Sequence, residues 1–358
     1  MELGPQRSTL EHGSLEDLVD WRRGAISGEI FADPAIHARE TEQLFPRAWL
    51  FLAHESQLRR AGDFVSTFMG ADAVIVVRDG DGTIRGMLNA CRHRGMPVCR
   101  VDSGNARVFT CPFHGWSYDR SGTLVNVPLL DTAYHNELDT TAWGLIPVPR
   151  VASYKGLVFA TFDESAPSLL DYLGDMAWYL DSMLDRRDGG TEGLGGVHKI
   201  RMHGNWKLVA EQFAGDNYHA VFAHASAPTA WSGDDPEGAA PRFSGSMSSA
   251  GRQFAGREGH GTAGFFLSSK ALTGGLRAMT DDHRLVADYY DATNDEVADR
   301  LGAERSRGPS GTAALVFPTF TYLEESSAPP PLGSAIRRGP TTSSSGVGSW
   351  STPPRRPR

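Results

Sequence analysis

The chain has 358 residues, a formal net charge of −8 and 40% hydrophobic residues, an ordinary globular composition that excludes a wholly disordered or fibrous protein. The acidic balance argues against a nucleic-acid-binding body, and no stretch approaches the roughly 20 apolar residues that span a bilayer. The length suits two domains, each large enough to bury a core.

The opening MELGPQRSTLEHG lacks the apolar run of a signal peptide, so a cytoplasmic location is expected. Ser14 before Glu16 and Asp17 reads as an N-cap with an acidic first turn. The run PAIHARETEQLF predicts a helix ended by Pro46. From 63 to 160 the pattern changes to short β-type runs: Phe64–Phe68, Ala73–Arg78, Ile84–Asn89, Arg107–Thr110 and Leu157–Phe162. Turn signals such as Asp79-Gly80-Asp81-Gly82 separate them, predicting a small antiparallel β domain. Residues 166–186 predict one amphipathic helix and 204–225 another, with Gly215 as its weak point. The Gly/Ser/Ala-rich stretch 234–275 reads as a long surface loop or lid, 281–305 as a polar-faced helix, and 313–323 as one buried strand. Of the last 35 residues, 19 are Pro, Ser or Gly, so disorder is expected there.

Three cysteines, Cys91, Cys99 and Cys111, fall within 21 residues, a clustering that points to metal before disulfide. Cys91-Arg92-His93 is followed, after 17 residues, by Cys111-Pro112-Phe113-His114. Such a set can bind zinc as Cys₂His₂ or hold a [2Fe–2S] cluster with two imidazoles on one iron. The Cys-x-His order and the Gly- and Pro-rich loops favour the cluster. Cys99 reads as a buried small hydrophobe. A second candidate is Asp216 with His219 and His224, in a helical segment headed by Asn205. On a regular helix the two imidazoles would stand roughly 140° apart, so they converge only if the helix bends or breaks between them.

The segment NACRHRGMPVC…CPFHGWSYD resembles a Rieske iron–sulfur domain. Asn205-Trp206-Lys207, followed by Glu211–His224, resembles the catalytic domain of Rieske aromatic-ring-hydroxylating oxygenase large (α) subunits. The resemblance implies Cys91 and Cys111 on one iron of the cluster, and His93 and His114 on the other. It implies His219 and His224 as ligands of a mononuclear Fe(II). Asp216 would hydrogen-bond the first iron ligand and relay electrons from a cluster histidine of a neighbouring subunit, and Asn205 would lie near the iron, although capping the helix is an equal reading. Gln212 departs from the more usual Asn. Phe213 and Phe222 are the expected pocket residues, with core packing an equal reading for both.

The fold class implied is α+β: an antiparallel β cluster domain and a catalytic domain whose antiparallel sheet is covered by helices. Residues 1–45 would be a helical segment packed on the catalytic domain, 46–160 the cluster domain, 161–323 a partial catalytic domain and 324–358 the disordered tail. The family's carboxylate iron ligand would fall past residue 358, so an incomplete catalytic domain with poor or no turnover is expected. A natural truncation, a cloning choice or a gene end read out of frame would explain it. The 31 Arg against four Lys, typical of a GC-rich gene, favour the last.

The resemblance implies oxygenation of a small apolar, aromatic substrate by O₂, with electrons from NAD(P)H through a flavin reductase, a ferredoxin or both. It also implies a homotrimeric ring of α subunits, with or without a β subunit. The alternative is a ferredoxin-like electron carrier with a vestigial catalytic domain.

Overall fold

The computed structural model describes residues 14–193, 197, 199, 203–216, 219–223, 251–266, 273–274, 276–277, 281–306 and 309–324. A 3-10 turn at Leu15–Leu18, with Ser14 and Asp17 forming a capping box, leads into the hairpin β1 (Val19–Asp20) and β2 (Ala25–Ile26). Two short helices follow, α1 (Glu29–Ala32) and α2 (Pro34–Arg39). The Asp33 carboxylate accepts from the Ala35 N–H at 2.7 Å, and Pro34 occupies the first turn of α2, where its missing N–H costs nothing. A π-type turn, Glu40–Leu44, carries the helical run to Phe45.

Ten strands then build three sheets: β3 (Leu50–His54), β4 (Asp63–Met69), β5 (Asp72–Arg78), β6 (Ile84–Leu88), β7 (Ser103–Asn105), β8 (Val108–Thr110), β9 (Ser117–Asp119), β10 (Leu124–Asn126), β11 (Arg150–Tyr154) and β12 (Leu157–Thr161). The orders are β6-β5-β4-β7, β10-β9-β8 and β11-β12-β3, all antiparallel. β5 shows why the sequence Val74-Ile75-Val76-Val77 is apolar without alternation. Val74 and Val76 enter one core with Leu52, Val158 and Trp206, while Ile75 and Val77 enter another with Cys91, Cys111 and Tyr118. A strand covered on both faces reads as a continuous hydrophobic run. β12 does the same: Leu157 and Phe159 face the helices that follow it, and Val158 and Ala160 face the opposite core.

The second half has α3 (Leu169–Leu173), α4 (Met176–Leu184), α5 (Trp206–Gly215), α6 (Ala220–Ala223), the hairpin β13 (Gly251–Ala255) and β14 (Gly261–Phe266), the long helix α7 (Asp281–Ser306), and β15 (Pro309–Val316) with β16 (Phe320–Glu324). The last four strands form one antiparallel sheet in the order β13-β14-β15-β16. Its Ala314, Val316, Phe320 and Tyr322 pack against α3, α4 and the Leu157/Phe159 face of β12.

Four expectations are corrected. The helix read over 166–186 is two, because Gly174 at φ 48° and ψ −133° breaks it in a conformation that favours glycine. The helix read over 204–225 stops at Gly215, and α6 is a separate turn. Within the stretch read as a loop, 251–266 forms the β13–β14 hairpin. The single strand read over 313–323 is the β15–β16 hairpin, turning at Phe317–Thr319 where Pro318 cannot donate to a ladder. The α7 helix spans the predicted residues, with a non-helical Gly302 near its end. The tail from 325 onward and residues 224–250 lie outside the described residues.

Candidate metal centres

The two Cys-His loops share one backbone frame. In the first, the Cys91 N–H donates to the Met96 carbonyl at 2.8 Å and the Gly95 N–H to the Cys91 carbonyl at 2.7 Å. In the second, the Cys111 N–H donates to the Trp116 carbonyl at 2.8 Å and the Gly115 N–H to the Cys111 carbonyl at 3.0 Å. Each loop closes through a left-handed glycine, Gly95 at φ 72° and Gly115 at φ 73°. The frames align Cys91 with Cys111, but His93 is two residues after its cysteine and His114 three. The one-residue offset between Cys-x-His and Cys-x-x-His is thus a difference of side chain on equal loops.

Each loop is anchored differently. The second is the tip of the β8–β9 hairpin, where Thr110 pairs with Ser117. The first is bracketed by Asn89, whose Nδ2 donates to the Cys99 carbonyl at 2.7 Å and whose Oδ1 accepts from the Cys99 N–H at 2.9 Å. The Cys99 thiol sits in the same core, accepting from the Ser66 hydroxyl at 3.3 Å.

The loops bring the predicted ligands together at one end of the cluster domain. Cys91 and Cys111 are free thiols, 3% and 2% exposed. The His93 and His114 rings meet at 4.6 Å between centroids, with planes 74° apart. His93 Nδ1 is buried without a hydrogen-bond partner among the described residues, a costly state for a polar nitrogen unless it ligates. Burial, then the charges of His114 and Arg94, hold the His93 imidazole below its ordinary pKa. Two buried thiols and two imidazoles, one half-buried and one exposed, fit a [2Fe–2S] cluster. Among the described residues no three His, Cys, Asp or Glu side chains gather as a single ion would require. The cluster, with two protein ligands on each iron, needs no such convergence.

Two further residues support this site and carry no ligand signature of their own. The Tyr118 hydroxyl lies 3.3 Å from Cys91 Sγ and accepts from the Arg92 N–H at 3.1 Å. With the cluster bound, Cys91 would be a thiolate with no proton to give, and the hydroxyl would donate to the sulfur. Burial, then the Cys91 contact, raise the phenol pKa, so it stays a donor. Trp116 lies flat against His93, at 5.1 Å and 12°. The only sequence signal for either was its place beside His114, in Gly115-Trp116-Ser117-Tyr118.

The second site begins with Asn205, whose side chain caps α5 by accepting from the Lys207 N–H at 3.0 Å. That favours its capping reading. After Gly215 the chain leaves the helix at Asp216, and the Asp216 carboxylate lies 3.2 Å from His219 Nδ1 and 3.3 Å from the His219 N–H. The Gln212 amide nitrogen lies 3.1 Å from His219 Nε2. Asp216, His219 and Gln212 are therefore gathered as a unit, while His224 lies outside the described residues. Phe213 is half-buried against the core that holds Trp206, which favours core packing for it, and Phe222 is 92% exposed among the described residues.

A cleft of about 310 Å³ runs along α5, lined by Leu44, Trp206, Ala210, Ala214, Leu315 and Phe317 among others. Gln212 points about 160° round the helix from the Trp206, Ala210 and Ala214 side. The cleft and His219 therefore lie on opposite sides of α5. Beside the cleft, Glu40 of the π-type turn pairs with Lys207 and accepts from Trp206 Nε1 at 2.8 Å.

Residues 48–154 match the family described as the Rieske [2Fe-2S] domain. The chain is 40% identical over 315 residues to the biphenyl 2,3-dioxygenase subunit alpha of Rhodococcus jostii, covering 86% of this chain and 66% of that protein. It is 40% identical over 324 residues to the benzene 1,2-dioxygenase subunit alpha of Pseudomonas putida, covering 88% of this chain and 69% of that protein. Among solved structures it is similar to the naphthalene 1,2-dioxygenase from a Rhodococcus species bound to indole, at 36% identity and a TM-score of 0.68, covering 84% of this chain and 65% of that one. The chain thus spans about two thirds of the length of these relatives. Its two Cys-His loops, its α+β fold and these likenesses agree: the chain belongs to the family of Rieske non-haem iron aromatic-ring-hydroxylating oxygenase α subunits.

Proposed function

We propose that the chain is the electron-accepting and oxygen-activating α subunit of an aromatic-ring oxygenase, with 46–160 as the cluster domain and 161–323 as the catalytic domain. Cys91 and Cys111 hold one iron of the [2Fe–2S] cluster, and His93 and His114 hold the other. His219 and His224 hold a mononuclear Fe(II). When bound, the cluster supplies single electrons and the Fe(II) supplies O₂ activation.

The protein's own residues do the rest. Tyr118 stabilises the thiolate charge on Cys91 through its hydroxyl. His114, exposed at the tip, offers the cluster an edge to a partner. Asp216 faces His219 Nδ1 at 3.2 Å and would fix the ring proton there, so that Nε2, now 3.1 Å from the Gln212 amide nitrogen, would exchange that contact for the metal. Asp216 also links this ring to a cluster histidine of a neighbouring subunit in a homotrimeric α ring. Electrons come from NAD(P)H through a flavin reductase, with or without a ferredoxin. The substrate is a small apolar aromatic, a class supported by relatives named for biphenyl, benzene and chlorobenzene. No helix among the described residues is long and apolar enough to cross a membrane, which supports the cytoplasmic reading.

One observation carries the proposal most directly: the orphaned His93 Nδ1 beside two buried free thiols and a second imidazole. Iron and acid-labile sulfide content per chain test it. About three irons to two sulfides is expected with both sites loaded. About two to two favours the electron carrier, and zinc without sulfide overturns the proposal.

A further inference from the structure

The two imidazoles of the cluster site have unlike surroundings. His114 is exposed, and the ring beside it, Phe113, is itself 59% exposed, at 4.0 Å and 36°. His93 is half-buried and parallel to the Trp116 indole. Trp116 is 3% exposed and held at its edges, by Trp143 at 6.0 Å and 88° and by Tyr134 at 6.2 Å and 64°. Trp143 lies under the Arg92 guanidinium at 5.7 Å, and that guanidinium donates to the Gly144 carbonyl at 3.1 Å. The stack thus runs from His93 into the cluster-domain core and is tied back to the ligand loop itself.

An imidazole turns easily about its Cβ–Cγ bond, because that torsion has no narrow minima. Something outside the ring must set its plane. For His93 the parallel, buried indole is that element; the ring beside His114 is the exposed Phe113, tilted by 36°. We propose that Trp116 is a positioning residue of the cluster, fixing the plane of the His93 imidazole and making the two imidazole ligands inequivalent. This rests on the reading of His93 and His114 as ligands.

Pulsed electron paramagnetic resonance of the reduced holoprotein, with isotope-labelled histidine, tests it. Two distinct histidine nitrogen couplings are expected in the wild type. In Trp116→Leu one coupling shifts and the other stays. Trp116→Phe, which keeps a flat ring against His93, retains the wild-type couplings. Phe113→Leu, which strips the ring from His114, shifts only the other coupling. An indole that merely fills the core would leave the couplings of every loaded cluster unchanged in Trp116→Leu, and that result overturns the proposal. Should Trp116→Leu hold no cluster, Trp143→Leu frees one edge of the indole without touching His93. A shifted single coupling there sustains the proposal, and an unchanged pair overturns it. A wild-type protein without iron and sulfide overturns the proposed function first, and this inference with it.

Discussion

At the scale of single residues, the site is built by atoms that ligate nothing. Tyr118 is the plainest case, since it spends its lone pair on the Arg92 N–H and its proton on Cys91 Sγ. Hydrogen bonds to cluster sulfurs raise the reduction potential by stabilising the electron-rich state. Tyr118→Phe is therefore expected to load its cluster and titrate at a lower potential, read by redox titration of the visible spectrum; an unchanged midpoint contradicts the bond. The two loop glycines make a paired prediction. A Cβ on Gly95 meets nothing within 4 Å, so Gly95→Ala pays only for its left-handed backbone, about 1 kcal/mol. A Cβ on Gly115 meets Pro128 Cγ at 2.9 Å, so Gly115→Ala costs distinctly more by chemical denaturation. The ligand types and their spacing were legible in the sequence because thiol and imidazole identity carries the chemistry. Tyr118, Trp116 and Asn89 were not, because their roles exist only once β6, β8 and β9 set the two loops side by side.

At the scale of elements, His260 pins three of them at one end of the last sheet. Its Nε2–H donates to the Tyr172 carbonyl of α3 at 2.7 Å, and its Nδ1 accepts from the Phe317 N–H at 2.9 Å. The Tyr172 hydroxyl closes the loop on the Phe317 carbonyl at 2.7 Å. Burial lowers the His260 pKa, against the opposing pull of the Tyr172 carbonyl and Glu258. The unfolded chain therefore binds a proton near its ordinary value of about 6.5, and the folded chain only at lower pH. The stability held by the neutral ring is complete above that value and is lost as pH falls below it. Tm is expected to drop from about pH 7.5 to about pH 5.5, and His260→Gln to lower Tm throughout while flattening that slope. The slope that remains belongs partly to His54, lowered by burial as well. The strands β4, β5, β6 and β12 were legible because their apolar runs sit between turn signals. The break at Gly174 and the β15–β16 turn were not: the flanking residues keep a helical or apolar pattern across them, so only the backbone shows the interruption.

At the scale of the whole molecule, a charged network joins the two halves. Asp181 of α4, 17% exposed, accepts from the Tyr154 hydroxyl at 2.6 Å and faces Lys155 at 2.7 Å and Arg305 at 3.0 Å. Lys155 and Tyr154 stand at the β11–β12 turn, and Arg305 near the end of α7. Asp181→Asn keeps the shape and removes the charge between two cations. A loss of about 2 kcal/mol is expected, with the larger effect at low salt, measured by urea unfolding. The Rieske domain matched over 48–154 was legible from its Cys-His loops, and the second motif follows it 105 residues on, from His114 to His219. The sharing of β12 between two cores was not, because no composition change marks it.

The matched frames of the two Cys-His loops have a consequence for assembly. Both are closed by backbone donors and acceptors and by left-handed glycines, and none of these closing bonds uses a ligand side chain. Small zinc modules, by contrast, have no fold until their metal arrives. Here the cradle precedes its cargo. Apoprotein should keep loop and sheet amide protection while losing only the cluster's colour, so that iron and sulfide enter a mould already cast.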